Sequence, residues 1–479
     1  MNGESKPPRR RSKSPGSGPS ERSRRPGQPP NTAVAQRDDP RLAARDVLRA
    51  VRERDAYANL VLPGLLRERR ITGRDAALAT ELTYGACRSQ GLLDAVIAEC
   101  AARPITEIDG PLLDVLRLGT YQLLRTRIAA HAAVATSVDL VRTEAGSGKA
   151  GFVNAVLRKA GAKTEQQWVA KLAPNSERDP IGHLAFQFAH PRWIAQSFAD
   201  ALGPRAGELR AVLEADDARP QVHLVARPGE ISAEELALIT GGEPGPYSPY
   251  AVHLDGGDPG ALEPVRDGLA AVQDEGSQLV ALALSRAALD GVDRGRWLDL
   301  CAGPGGKAAL LGALAAIEGF RVDAVEPAEH RAELVRKSTR DLPVDVHVAD
   351  GRDAGLAPGF DRILVDAPCT GLGALRRRPE ARWRRQPADV ADLVRLQREL
   401  LAAALELIRP GGVVLYSTCS PHLQETVGVV ADAVRRFGAT QLDARELLPG
   451  VPEIGTGPHV QLWPHLHGTD AMFLAALTR

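Results

Sequence analysis

The sequence predicts three folded units in succession: an all-helical bundle, a small α+β module, and an α/β domain with a doubly wound parallel sheet. Three observations carry that expectation. Between residues 40 and 162 apolar residues recur at helical spacing, as in Leu112, Leu113, Leu116, Leu118, Leu123 and Leu124. From 163 to 269 short strand candidates mix with helices around a loop dense in Gly and Pro. From 270 to 479 apolar runs alternate with helical segments, the pattern of βαβ units. With 479 residues, 44% of them hydrophobic, the chain can supply each unit with a core.

Ahead of the bundle, residues 1–39 form a basic tail. Met1 to Arg37 carries nine Lys or Arg against two Glu, among Ser, Pro and Gly and almost no large apolar residue, so this stretch is expected to be disordered. The formal net charge of the whole chain is zero, and it gives no hint of a nucleic-acid partner. The tail lacks the apolar core of a signal peptide, and no apolar run of about 18 residues occurs; a cytoplasmic protein without a membrane partner is the expectation. Cys87, Cys100, Cys301, Cys369 and Cys419 make an odd number with no C-x-x-C pair, which argues for reduced thiols and against a disulfide framework or structural zinc. His131, His190 and His253 are scattered, and His422, His459, His465 and His467 lack tight ligand spacing, so no metal is expected.

Within the bundle, helix breaks are expected at Pro63-Gly64, Gly73, Pro104, Gly110-Pro111 and Gly146 to Gly148. The middle module offers strands at 221–225 and 250–254 and helices at 191–201 and 233–239. The last unit offers strands at 297–300, 321–325, 344–348, 362–365 and 413–417.

The chemistry gathers at the ends of these last strands. Cys301-Ala302-Gly303-Pro304-Gly305-Gly306-Lys307 follows the first of them and opens an Ala/Leu helix. Glycines there let the backbone turn tightly and approach a ligand, while the helix N-terminus offers free N–H groups, which reads as a nucleotide-like cofactor loop. It is not a P-loop, because Ala308 stands where the magnesium-holding hydroxyl belongs. Glu326 ends the next strand, where a carboxylate can accept from ribose hydroxyls, and Asp350 follows the third, placed for an adenine amino group. The fourth strand delivers Asp366-Ala367-Pro368-Cys369, and the fifth delivers Ser417-Thr418-Cys419-Ser420. If those two strands are neighbours, Cys369 and Cys419 meet beside the cofactor. Between them lies Arg376 to Arg385, six Arg with Trp383, expected as an RNA-contacting loop in which the Trp stacks on a base or packs into the core.

The cofactor loop, the Asp-x-Pro-Cys segment and the Thr-Cys-Ser segment together resemble the RNA cytosine-5 methyltransferases, with a Rossmann-like catalytic domain at 270–479. Residues 40–162, including Gly151-Phe152-Val153-Asn154-Ala155-Val156-Leu157-Arg158-Lys159, look like a NusB-type RNA-binding domain. That fusion resembles the bacterial RsmB (Sun, Fmu) methyltransferases of small-subunit ribosomal RNA. The pattern departs at Gln221-Val222-His223, where Arg-Val-Asn would be expected, which leaves RNA contacts by the 163–269 module open.

The resemblance implies S-adenosylmethionine as methyl donor, 16S ribosomal RNA as partner rather than DNA, and a monomer. It implies that Cys419 is a nucleophile toward carbon 6 of cytosine, that Cys369 assists proton removal or release, and that Asp366 holds the base and lies by the cofactor, with Lys307 orienting it. Closing strands are expected by analogy near 461–463 and 471–477, with Asp470 structural. Nothing in the catalytic motifs names the RNA, so transfer RNA or another RNA stays open. So does an idle RNA-binding assembly factor, against which the intact cysteine pair argues.

Overall fold

The computed structural model describes residues 39–145 and 147–479; the basic tail up to residue 38 lies outside them. The chain first winds into helices at Pro40–Arg54, Ala58–Arg69, Gly73–Arg88, Gln90–Ala101, Gly110–Arg125, Ala130–Ala145 and Ser147–Ala160. Asp39 caps the first by accepting from the Arg41 N–H at 2.8 Å, and Pro40 fits its first turn, where no N–H is needed. Leu82, Leu92, Leu93, Leu116, Leu118 and Leu157 fill the core. Gly85 lets two helices close up, since a Cβ there would lie 2.0 Å from the Tyr121 ring. The break expected at Pro63-Gly64 does not occur. Pro63 lies inside Ala58–Arg69, and burial of Ala58 and Leu62 outweighs the backbone bond it cannot make.

Residues 163–269 serve three different cores. Helix Glu165–Leu172 extends the bundle through Trp168, whose indole N–H donates to the Ala160 carbonyl at 2.9 Å. Helices Pro180–Gln187, Arg192–Leu202 and Leu209–Asp217 share a core with Leu372, Leu375, Trp463 and Ala471 of the last unit. Strands β1 (Val222–Ala226), β2 (Glu243–Pro244), β3 (Ala251–Leu254) and β4 (Ala270–Val272) form an antiparallel sheet ordered β2-β3-β1-β4, with helix Ala233–Thr240 in its core.

The last unit is built on β5 (Arg296–Asp299), β6 (Arg321–Val325), β7 (Val344–His347), β8 (Phe360–Asp366), β9 (Ile408–Thr418), β10 (Thr440–Leu442), β11 (Val460–Gln461) and β12 (Phe473–Thr478). The order is β10-β12-β9-β8-β5-β6-β7, with β11 also on β12; β5 to β9 run parallel, while β10, β11 and β12 pair antiparallel. Helices cover both faces because the strands are apolar on both. Leu364, Val413 and Leu415 meet Leu279 and Leu311 on one side, while Ile363, Val365, Val414 and Tyr416 meet Leu401 and Val430 on the other. From β5 the chain builds outward to β6 and β7, then returns to lay β8 on the other side of β5. That reversal opens a crevice at the carboxyl ends of β5 and β8.

The arginine-rich stretch turns inward, contrary to its expected role on RNA. Arg376 and Arg377 both pair with Asp274, which caps helix Glu275–Arg286, and with Asp470. Arg382 is 0% exposed and reaches Asp216, itself bonded to His190, and Asp217. Trp383 lies over Gly91 of the bundle and donates to the Cys87 carbonyl at 2.9 Å, and Arg384 donates to the carbonyls of Val51, Asp55 and Ala56. Carboxylates and carbonyls from both sides claim these cations, and the segment is a seam between bundle and sheet. Arg382→Ala should therefore cost about 3–5 kcal/mol in urea unfolding by leaving Asp216 short of its cation. The exposed pair Arg395–Asp392 is the control, and Arg395→Ala should cost under about 1 kcal/mol.

Candidate active site

The loop after β5 is shaped by what surrounds it. Gly305 has φ +111°, a conformation that only glycine adopts freely, and a Cβ there would strike Ser338 Oγ at 1.9 Å. At Gly303 a Cβ would lie 2.1 Å from Glu326 Oε2, so the loop rests against the acid that ends β6. Glu326 accepts from the Ala328 N–H at 3.0 Å and faces Arg331, which donates to the Gly303 carbonyl at 2.7 Å. Asp299 is buried beneath the loop; its Oδ1 accepts from the Cys301 N–H and, among the described residues, its Oδ2 has no partner. Burial, followed by the charge of Asp366, pushes its carboxyl up to about 7. Both ends of the buried Gln273 amide, beside Gly306, also lack partners. A glycine cradle, a strand-end acid and these unpartnered polar atoms fit a polar cofactor such as S-adenosylmethionine. Burial pushes the Cys301 thiol up, so within the loop it behaves as a small apolar group.

Lys307, in the first turn of helix Gly306–Glu318, reaches across the crevice to Asp366 at 2.7 Å. Burial would lower its ammonium, but Asp366 outweighs that and raises it. The other oxygen of Asp366 accepts from Ser417 Oγ at 2.9 Å, across the β8–β9 register that pairs those two residues. The same register brings the thiols together, with Cys369 Sγ 3.4 Å from Cys419 Sγ. The Cys369 thiol is pushed well up by its hydrogen bond to Cys419 and by burial. That bond lowers Cys419, against burial and Asp366 and with help from Lys307 and Arg378. The pair is thus set apart, with Cys369 pushed up and Cys419 drawn down.

Asp350 stands apart. Its carboxyl is held down to about 2 by Arg352, which also bonds Glu399, and among the described residues no hydrogen bond joins it to the loop or the thiols. His223, in the divergent Gln-Val-His segment, is buried, stacked on His253 at 3.9 Å and set against Asp274. Glu425 carries no sequence signature, being a single acid six residues past Cys419, yet it bonds both cysteine segments.

Removing the Cys369 S–H takes away the largest influence lowering Cys419. In Cys369→Ala the midpoint of Cys419 alkylation by iodoacetamide should move to higher pH, as followed by mass spectrometry; an unchanged or lower midpoint would contradict the influence of the thiol–thiol hydrogen bond.

The chain is similar to known proteins over nearly its whole length. Residues 286–478 match the family model described as 16S rRNA methyltransferase RsmB/F, and residues 38–162 match the NusB family. A putative methyltransferase of Mycobacterium tuberculosis strain H37Rv is 66% identical, over 92% of this chain and 97% of its own length. The ribosomal RNA small subunit methyltransferase B of Cronobacter sakazakii is 33% identical, over 92% and 98%. The crystal structure of PH0851 shares the fold with TM-score 0.75 and 21% identity, covering 92% of this chain and 99% of that one. NSun6 from Pyrococcus horikoshii with SFG shares it with TM-score 0.51 and 19% identity, over 60% and 98%. With an S-adenosylmethionine-dependent catalytic domain behind a NusB domain, the chain belongs to the RsmB/F family of 16S rRNA methyltransferases.

Proposed function

We propose that this protein methylates carbon 5 of a cytosine in 16S ribosomal RNA through a transient bond between Cys419 and the base. The observation that carries the reading is the thiol pair, 3.4 Å apart at adjacent strand ends, next to the Lys307–Asp366 ion pair. Carbon 5 of cytosine is a poor nucleophile, and a thiolate added to carbon 6 makes it enamine-like. Cys419, the thiol drawn down, fits that addition. Asp366, held in place by Lys307, accepts from the exocyclic amine and so orients the base. After transfer the carbon 5 proton passes to water, and Cys369, which keeps its own S–H, hydrogen-bonds the departing sulfur and so assists release. The carbon 6 to sulfur bond then breaks and Cys419 leaves as thiolate.

Residues 301–307 with Glu326 would hold S-adenosylmethionine, Asp366 closing the site, and Asp350 would join once Arg352 yields it. When bound, that cofactor supplies an electrophilic methyl group on sulfur. Residues 40–162 would grip the RNA, and the target cytosine would be unpaired or flipped into the crevice. The reading includes a monomeric cytoplasmic enzyme that acts on RNA and not on DNA. Its ribosomal RNA substrate is supported by the names of relatives that span nearly the whole chain.

In denaturing gels, Cys369→Ala should retain a covalent complex with RNA, while Cys419→Ala should form none and transfer no methyl; an adduct in the Cys419 variant alone would reverse the two roles. Bisulfite sequencing of total RNA with and without the gene should show one cytosine of 16S RNA losing its protection. A lost site in transfer RNA would move the substrate, and no lost site would remove cytosine-5 methylation.

A further inference from the structure

Four hydrogen bonds converge on the carboxylate of Glu425, which is 0% exposed. Oε1 accepts from the Thr370 N–H at 2.8 Å and from Gln397 Nε2 at 3.0 Å; Oε2 accepts from Ser420 Oγ at 2.7 Å and from Thr370 Oγ1. Thr370 directly follows Cys369, and Ser420 directly follows Cys419. Gln397 also donates to the carbonyl of Pro368, on the other side of Cys369, at 2.9 Å. Among the described residues no cation pairs with Glu425. A buried acid without a counter-ion is costly, and an apolar residue would fill a merely structural site more cheaply. With two donors on each oxygen, its acceptor capacity is also used up, which leaves it nothing to offer a substrate.

We propose that Glu425 is a positioning residue for methyl transfer, a staple that joins Thr370 to Ser420 and thereby sets the separation of Cys369 from Cys419. The proposal rests on the roles given to the two thiols under the proposed function. Backbone pairing of β8 with β9 ends at Asp366 and Ser417; beyond them the Gly373 N–H donates to the Cys419 carbonyl at 2.8 Å and the Thr370 and Ser420 hydroxyls meet at 3.0 Å, a contact that is held only while one acceptor fixes both hydroxyls. The carboxylate is that acceptor, at a point where a shift of about 1 Å is enough to cost about 100-fold in rate.

The full-length protein is tested as Glu425→Ala and Glu425→Gln. Without RNA or cofactor, the azo oxidant diamide links the pair, two thiols giving one disulfide while the azo group is reduced to the hydrazine. The expected result is that Glu425→Ala forms the Cys369–Cys419 disulfide at least about 10-fold more slowly than wild type, with kcat for methyl transfer down about 100-fold and KM for both substrates within about twofold. Glu425→Gln, which keeps one acceptor oxygen and the volume, should fall between the two and carries the test if Glu425→Ala does not fold. Cross-linking at the wild-type rate, or a raised KM with unchanged kcat, overturns the proposal. Because the cross-linking needs no RNA, it decides the staple even if the wild-type protein proves unable to methylate cytosine.

Discussion

The parallel pairing of β8 with β9 is the constraint on which the site depends. Asp366 opposite Ser417 sets the depth at which both strands end, so the residues that follow reach the same edge of the sheet from adjacent positions. Two further backbone bonds continue the register into the loops, from the Ala367 N–H to the Ser417 carbonyl at 2.9 Å and from the Gly373 N–H to the Cys419 carbonyl at 2.8 Å. A slip of one residue would turn Ser417 away from Asp366 and part the sulfurs. Burial on both faces makes such a slip costly, because Val414 and Tyr416 would exchange cores with Val413 and Leu415.

Electrostatics then divides the work among like groups. Asp299, Glu326 and Asp366 crowd one crevice, and they differ by what answers each of them. Lys307 and the Ser417 hydroxyl answer Asp366, Arg331 and a backbone N–H answer Glu326, and Asp299, answered by only one long backbone bond, is pushed up. The thiols differ in the same way. Cys419 is drawn down by the thiol–thiol contact and by Lys307, whereas the same contact and burial push Cys369 up. The same surroundings thus push two chemically identical thiols in opposite directions.

What was legible in the sequence follows from how locally each feature is encoded. The loop at 301–307 could be read because glycines forced by φ and by close approach leave a mark in composition, and the strands could be read from their apolar runs. The meeting of Cys369 with Cys419 followed from strand ends alone, since a parallel sheet gathers its carboxyl ends along one edge. The direction of the arginine stretch was not legible, because the carboxylates that turn it inward, Asp216, Asp274 and Asp470, lie far away in sequence and their charges carry no address. That Arg352 pairs with Asp350 was not legible either, because a spacing of two residues does not show where the two side chains point. Glu425 gave no pattern at all; its meaning comes from two loops that the fold alone brings together.

That inward turn changes what the helical bundle contributes. A bundle joined to the catalytic domain by a flexible linker would only raise the local concentration of RNA near the thiols. Here the joint is rigid, with Trp383 and Arg384 locked onto the bundle and Arg382 buried between helices. Arg385 then donates to the Thr370 carbonyl at 3.1 Å, one residue from Cys369. One short segment thus touches both the bundle and the loop that carries Cys369. RNA gripped by the bundle would be presented to the crevice at a fixed offset, and orientation, more than proximity, is what a strand-end nucleophile requires. Buried charge suits such a joint better than an apolar seam would, because a guanidinium shared among named oxygens has one low-energy geometry where packed methyl groups have several.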